Sequence, residues 1–220
     1  MDPKLLGIDE AGRGSVLGPL VVGGFLTERS RLEELSRLGV RDSKLLSPER
    51  RERLFEELQE VGERIAITIP PAQVDAAVAR GRLNLLEAQV FAQLLSMTDA
   101  REVYVDACDV RADRFGRTVK SLARTPARIV SAHHSDRDVP IVSAASIVAK
   151  VCRDRAVSRL RLRLESDFGS GYPSDEKTQK FVKDHLSATT EHVSWLRYSW
   201  ATVARLKPRP RFRTLDTPWP

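Results

Sequence analysis

The 220-residue sequence predicts an α/β domain built on a mixed, five-stranded sheet. Three observations predict it. Two β-branched apolar runs near the N-terminus are joined by a short glycine-rich turn, a connection that favours an antiparallel hairpin. Three further short apolar runs follow, separated by segments of helical periodicity. Two of the five runs close on an acid, and in open α/β sheets chemistry gathers at strand ends.

Taken in order, the first strand covers 5–8 and stops at Asp9-Glu10. Gly12-Arg13-Gly14 makes the turn, and the second strand covers 17–26. Ser47-Pro48 starts a helix, because Ser can accept from an unpaired first-turn amide and Pro needs no donor there. Leu54, Leu58 and Val61 form its apolar stripe. The alternating, β-branched residues 64–69 give the third strand, stopped by Pro70-Pro71. Helices follow over 72–79 and 84–97, then a strand over 102–106, a helix over 112–123 and a strand over 127–131. A long helix, 141–164, opens on Ser143, Ala144, Ala145 and Ser146 and turns basic. Residues 169–173 form a loop, after which Ser174 caps a helix reaching 186. The tail from Lys207 holds four of the twelve prolines and is expected to be loosely ordered.

Composition narrows the function classes. Hydrophobic residues at 41% against 30% charged are enough for a sizeable core, which excludes a wholly disordered chain. No apolar stretch approaches the roughly 18 residues of a membrane span, and the N-terminus lacks the features of a secretory leader. Two cysteines, not in a Cys-x-x-Cys pair, fit neither a disulfide framework nor structural zinc and point to a reduced cytoplasm. The net charge of +6 is uneven. Residues 1–110 hold 14 Lys/Arg against 19 Asp/Glu, a net −5, while residues 111–220 hold 22 against 11, a net +11. A polyanion docked by the C-terminal half explains this, and so does a charge-rich solvated surface.

Asp9, Glu10, Asp106 and Asp136 are the candidate chemistry. A carboxylate at the edge of a core is costly unless paired or bound to a cation, and acids from several strand ends make a hard-oxygen site suited to Mg2+ or Mn2+. Neighbours on a flat strand face opposite sides, so Asp9 and Glu10 share a site only if the strand bends or ends there. Any one of these acids alone reads more simply as a strand cap with an Arg partner. The Gly12-Arg13-Gly14 turn lets a backbone approach closely and can hold a phosphate, or can merely turn the chain. Ser143, Ser146 and Lys150 share one helix side, either packed on the sheet or facing phosphate. Beyond them Arg153, Arg155, Arg159, Arg161 and Arg163 face only Asp154 in sequence.

The motifs in order resemble one family. Gly7-Ile8-Asp9-Glu10-Ala11-Gly12-Arg13-Gly14, with Leu17-Gly18-Pro19, closely resembles the opening motif of ribonuclease HII. The resemblance continues through Asp42-Ser43-Lys44-Leu45-Leu46-Ser47-Pro48, Leu83-Asn84-Leu85-Leu86-Glu87, Val105-Asp106 and Ser135-Asp136. It extends to Ser143 through Lys150, Gly169 through Asp175, and Arg197-Tyr198-Ser199-Trp200, the last two similar to the archaeal branch. It spans roughly residues 4–205. The resemblance implies a ribonuclease H-like domain over 1–165, a small C-terminal helical region over 166–206 and a Pro-rich basic tail over 207–220. It implies an endonuclease that cuts the RNA strand of RNA–DNA hybrids and single ribonucleotides embedded in duplex DNA, leaving 3′-hydroxyl and 5′-phosphate ends. Two divalent ions, Mg2+ or Mn2+, would be held by Asp9, Glu10, Asp106 and Asp136. Gly12, Arg13 and Gly14 would contact the ribonucleotide, Tyr172 would stack at the RNA–DNA junction, and Lys44, Asn84, Ser146 and Lys150 would line the substrate groove.

Four points depart from or qualify the pattern. Asp138 lies two residues from Asp136, and the spacing to Ser143 favours Asp136. Ser15 stands where relatives often carry Pro, with little expected consequence. The tail keeps Leu215 and Trp219 but lacks the leading glutamine and paired aromatics of a sliding-clamp-binding peptide, so a clamp contact is a lesser expectation. His133 and His134, near Asp136, read as solvated rather than as proton shuttles. Arg13 and the early motif argue against ribonuclease HIII, and the glutamate directly after Asp9 argues against ribonuclease HI. A nucleic-acid-binding module without catalysis would keep the basic half and lose the acids, and a small-molecule phosphatase would not need the basic half. A monomer is expected.

Overall fold

A computed structural model of the chain describes residues 2–40 and 46–208. Five strands form one sheet: β1 (Lys4–Ala11), β2 (Leu20–Glu28), β3 (Glu63–Ile69), β4 (Glu102–Asp106) and β5 (Arg128–Ala132). Their order is β3-β2-β1-β4-β5. The β1–β2 and β2–β3 pairs are antiparallel, and the β1–β4 and β4–β5 pairs are parallel, which makes the sheet mixed as the sequence predicts. The helices are α1 (Leu32–Arg37), α2 (Pro48–Glu57), α3 (Pro71–Ala79), α4 (Leu83–Ser96), α5 (Ala112–Ala123), α6 (Ser135–Asp138), α7 (Pro140–Arg163), α8 (Glu176–Ala188) and α9 (Ala201–Leu206). Ser47 caps α2 as expected, its hydroxyl accepting from the Arg50 amide at 3.2 Å. None of the described helices is long and apolar enough to cross a membrane.

The sheet separates two cores because strand side chains alternate between faces. Leu6 and Ile8 of β1 enter a core with Phe91 and Leu94 of α4 and Phe115 of α5, while Leu5 enters the opposite core with Leu54 of α2 and Ile141 and Ile147 of α7. Phe91 and Phe115 meet edge to face at 5.2 Å. Two glycines let α7 lie directly against the sheet. A Cβ on Gly7 would fall 2.1 Å from the Ile141 carbonyl oxygen, and one on Gly23 would fall 2.5 Å from the Ala149 nitrogen. A third cluster, with Val16, Leu17, Leu160, Phe168, Val182, Leu196 and Val203, fastens the C-terminal region to the end of α7.

Several boundaries differ from the sequence reading. β1 continues through Ala11 instead of stopping after Ile8, since Asp9 and Glu10 still pair with Gly23 and Val22. β2 begins at Leu20, not 17, because Leu17 pairs with Leu196 in an isolated bridge. The cap of α8 is Asp175, not Ser174: its carboxylate accepts from the Lys177 amide at 2.9 Å and also from Ser170, closing the preceding loop. The short helices α1, α6 and α9 carry too few residues to show a period. Lys44 and the tail beyond 208 lie outside the described residues.

Candidate active site

Parallel register places the first two acids. Ile8 pairs with Val105, so Asp9 and Asp106, each one residue further on, are level at the same end of neighbouring strands. Asp106 then organises the third. Its carboxylate accepts from the Ser135 amide at 3.0 Å, which fixes the start of α6, and the Ser143 hydroxyl of α7 donates to the Asp136 carbonyl at 2.6 Å. One carboxylate oxygen from each of Asp9, Asp106 and Asp136 lies within 4.8 Å of the others. Asp136 is fully buried, whereas Asp138 is exposed and outside this group.

Glu10 occupies the other side of β1, as the pleat requires. Its carboxylate forms a second group with Glu87 and Cys108, and the Cys108 thiol donates to it at 3.2 Å. The sequence reading let Asp9 and Glu10 share a site if the strand bends or ends there, and β1 ends at Ala11, one residue past Glu10. Both line one cleft of about 260 Å³ at that strand end. Gly12, Arg13, Gly14, Asp106, Ser146, Lys150 and Tyr172 line the same cleft.

Burial, and then the charges of Glu10 and Asp106, hold the Asp9 carboxyl well above the usual range. Hydrogen bonds from the Ser146 hydroxyl and the Glu10 amide pull the other way. Such a crowd of buried oxygen donors calls for a hard divalent cation, and this donor set fits Mg2+ or Mn2+. Glu87 is also buried, which pushes it up to about 8 against the pull of Arg13. Its Oε2 has no partner among the described residues. The buried Cys108 thiol is pushed well up, by desolvation and then by Glu10 and Glu87, so it stays a hydrogen-bond donor.

The glycine turn is held from several sides. Gly12 has φ +86°, and a Cβ there would lie 2.8 Å from the Pro19 carbonyl oxygen. The Arg13 guanidinium donates to Glu87 at 2.8 Å and to Asn84 at 2.6 Å, both on α4. Asn84 thus meets the site through Arg13 and lines a neighbouring cavity of about 510 Å³ rather than the cleft itself. The Gly12 carbonyl accepts from the Ser15 hydroxyl at 2.9 Å, the Arg13 carbonyl from Arg197 at 2.9 Å, and the Gly14 carbonyl from the Trp200 indole at 3.3 Å. Ser15 is buried and its hydroxyl supports the turn.

Lys150 sits at the cleft edge, paired with Asp154 at 2.6 Å, and burial lowers its ammonium from the usual value. The Tyr172 ring lies with the Arg153 guanidinium 4.6 Å from its centroid. The arginines of α7 are not a bare stripe. Arg153 is buried and donates to the Ser170 carbonyl at 3.0 Å, Arg161 donates to the Gly169 carbonyl, and Arg155 pairs with Glu52 of α2 and with Glu56 at 2.9 Å. That corrects the reading that only Asp154 opposes them. His133 and His134 are exposed. His133 bonds the Val110 carbonyl at 3.2 Å, and His134 takes φ +59° ahead of α6.

The family model described as Ribonuclease HII matches residues 6–203. The chain belongs to the ribonuclease HII family. The ribonuclease HII of Cenarchaeum symbiosum is 44% identical over 195 residues, covering 88% of this chain and 93% of its own. Among solved structures, the ribonuclease H2 of Pyrococcus horikoshii OT3 superposes with a TM-score of 0.86 at 35% identity, covering 93% of this chain and 97% of the other. A ribonuclease HII of Archaeoglobus fulgidus, solved in a complex with PCNA, gives 0.83 at 37%, covering 96% and 98%. The fold is thus ribonuclease H-like, and the protein is an endoribonuclease that cuts RNA within RNA–DNA hybrids in a divalent-metal-dependent way. Sequence reasoning passed over Glu87, Arg197 and Trp200 as individual residues. Glu87, Arg197 and Trp200 stood inside quoted motifs, and a lone acid on the apolar helix 84–97 was the one available signal.

Proposed function

We propose that this ribonuclease HII also cuts at single ribonucleotides embedded in duplex DNA, leaving 3′-hydroxyl and 5′-phosphate ends, with two divalent ions held by Asp9, Glu10, Asp106 and Asp136. The observation that carries the reading is the meeting of Asp9, Glu10 and Asp106, the glycine turn and Tyr172 in one cleft. When bound, Mg2+ or Mn2+ polarises phosphate oxygens and makes water more acidic. The residues of the chain do the rest. Asp9 and Asp106 offer oxygens at neighbouring strand ends, Asp136 offers one from α6 and Glu10 one from the other side of β1, and Ser146 keeps Asp9 oriented. The amides of the Gly12-Arg13-Gly14 turn meet the 2′-hydroxyl, the one group that separates RNA from DNA, so no base is read. Tyr172 stacks on the neighbouring sugar with Arg153 behind it, Lys150 and Lys44 meet phosphates, and Asn84 serves through Arg13.

The catalytic unit is taken as 1–165, with the helical region 166–206 closing the substrate side and a sliding clamp as a partner of the tail 207–220. The PCNA complex of the Archaeoglobus fulgidus relative supports that last contact. The protein is read as a cytoplasmic monomer, in keeping with free thiols at Cys108 and Cys152. The test is a DNA duplex carrying one ribonucleotide, incubated with protein and Mg2+ or with chelator. The expected result is one cut with ligatable ends, in Mg2+ only. Cutting of a long hybrid without cutting of this duplex refutes the finer substrate reading, and cutting in chelator refutes the metal reading.

A further inference from the structure

Arg197 is a fully buried cation beside the turn, with no exposed surface. Its Nε donates to the Gly18 carbonyl at 3.1 Å and its Nη1 to the Arg13 carbonyl at 2.9 Å, across 179 and 184 residues of sequence. Its own amide donates to the Val16 carbonyl at 2.9 Å. The guanidinium lies 5.1 Å from the Trp200 ring centroid, and the indole of that ring donates to the Gly14 carbonyl. No carboxylate forms an ion pair with Arg197 among the described residues, and Arg153 adds a like charge nearby. Burial and that neighbour push the guanidinium down to about 10, which leaves it charged at neutral pH. A buried cation without an anion is a poor way to gain stability, since an apolar side chain of similar volume would pack at lower cost. Its bonds all go to one place, the backbone on either side of the turn.

Peptide planarity gives those bonds a consequence. In a trans peptide the carbonyl of one residue and the amide of the next point in opposite directions. Holding the Gly12 carbonyl through Ser15 and the Arg13 carbonyl through Arg197 therefore aims the amides of Arg13 and Gly14 away from these supports. The Arg13 side chain is restrained separately by Glu87 and Asn84, so Arg197 acts on the backbone alone. We propose that Arg197 is a positioning residue that aims the Gly14 amide at the ribose, with Trp200 steadying the next peptide through the Gly14 carbonyl, making the C-terminal region a determinant of ribose selectivity. The proposal rests on the reading that the turn senses the 2′-hydroxyl.

The test uses full-length Arg197→Lys and Trp200→Phe. Lysine keeps the charge but has no fork to reach both carbonyls, and phenylalanine keeps the ring but loses its donor. Affinities for a duplex with one ribonucleotide and for the identical all-DNA duplex are compared by anisotropy in chelator, alongside melting. The wild-type protein should prefer the ribonucleotide. Arg197→Lys should lower that preference about tenfold, and Trp200→Phe by about threefold, with all-DNA affinity unchanged. General damage would instead weaken both duplexes alike. Retention of the wild-type preference by either folded variant, or an equal loss on both duplexes, overturns the proposal. Should Arg197→Lys not fold, Trp200→Phe decides alone. A wild-type protein that binds both duplexes equally removes the reading of the turn, and the positioning role falls with it.

Discussion

Replacing Asp9 with Asn should abolish cutting and raise the stability of the metal-free protein. The carboxylate oxygens of Asp9, Asp106 and Asp136 lie within 4.8 Å of one another. At that separation and an effective dielectric of about 20, each pair of like charges costs about 3.5 kcal/mol. The folded protein escapes part of this by keeping a proton on Asp9, whose carboxyl burial and neighbours push up. The gain from Asn is therefore smaller than the sum of pairs, roughly 1–3 kcal/mol at mildly alkaline pH, or about 3–10 °C in melting temperature for a chain of this size. The pH dependence has a definite sign. A carboxyl whose folded pKa lies above its unfolded value of 3.8 binds more protons when folded, so stability is lost as pH rises from there through the folded pKa. The advantage of Asn should accordingly be small near pH 4 and grow towards alkaline pH. Mg2+ should stabilise the wild type and do much less for the variant. Calorimetry in chelator across pH, repeated with Mg2+, measures all of this. A variant that melts below the wild type in chelator, or a difference that does not change with pH, would refute the reasoning.

Tyr172→Phe should stay largely active because stacking needs a flat face and not the phenol, whereas Tyr172→Ala should lose roughly tenfold to a hundredfold, more on a single ribonucleotide than on a long hybrid. Steady-state rates on both substrates check this, and wild-type rates for the alanine variant would exclude a junction role. Arg159 and Arg163 line a cavity of about 470 Å³ with Trp195, so replacing both with Ala should weaken hybrid and all-DNA binding alike and flatten the salt dependence. Arg161 is left intact in that test because it holds the Gly169 carbonyl. An unchanged salt slope would mean that this helix end faces away from nucleic acid. Gly23→Ala would push a Cβ to 2.5 Å from the Ala149 nitrogen and 2.6 Å from the Ala145 carbonyl oxygen, both backbone. A loss of about 3 kcal/mol is expected, seen as a melting temperature lower by about 6–12 °C.

The sequence was most informative where structure is set locally. The helix over 112–123 and the strand over 102–106 have the predicted bounds, the first because its apolar residues share one face and the second because turn and acid bracket a β-branched core. The acids were legible because each ends a short apolar run or stands in a dense motif. What escaped was fixed by distant partners. The bond from Arg197 to the Arg13 carbonyl spans 184 residues, and that from Arg155 to Glu52 spans 103, so no window of sequence shows either. Ser15 looked incidental because its hydroxyl serves a carbonyl, a role with no characteristic spacing. Helix α6 escaped because four residues carry no period, and its geometry comes from Asp106.

The pairing of β1 with β4 also bears on how the protein emerges from synthesis. The hairpin of β1 and β2 is local and can close early, but Asp9 meets Asp106 only after about a hundred residues and Asp136 some thirty later. Parallel pairing across such a span is slow to form, since loop closure precedes any reward from contact. Asp9 and Glu10 therefore wait on the chain for Asp106 and Asp136. A nascent chain cannot bring Asp9, Asp106 and Asp136 together until the edge strand β5 and α6 have been made. The carboxylate cluster arrives with the second half of the sheet, when most of the hydrophobic core is already available to hold it.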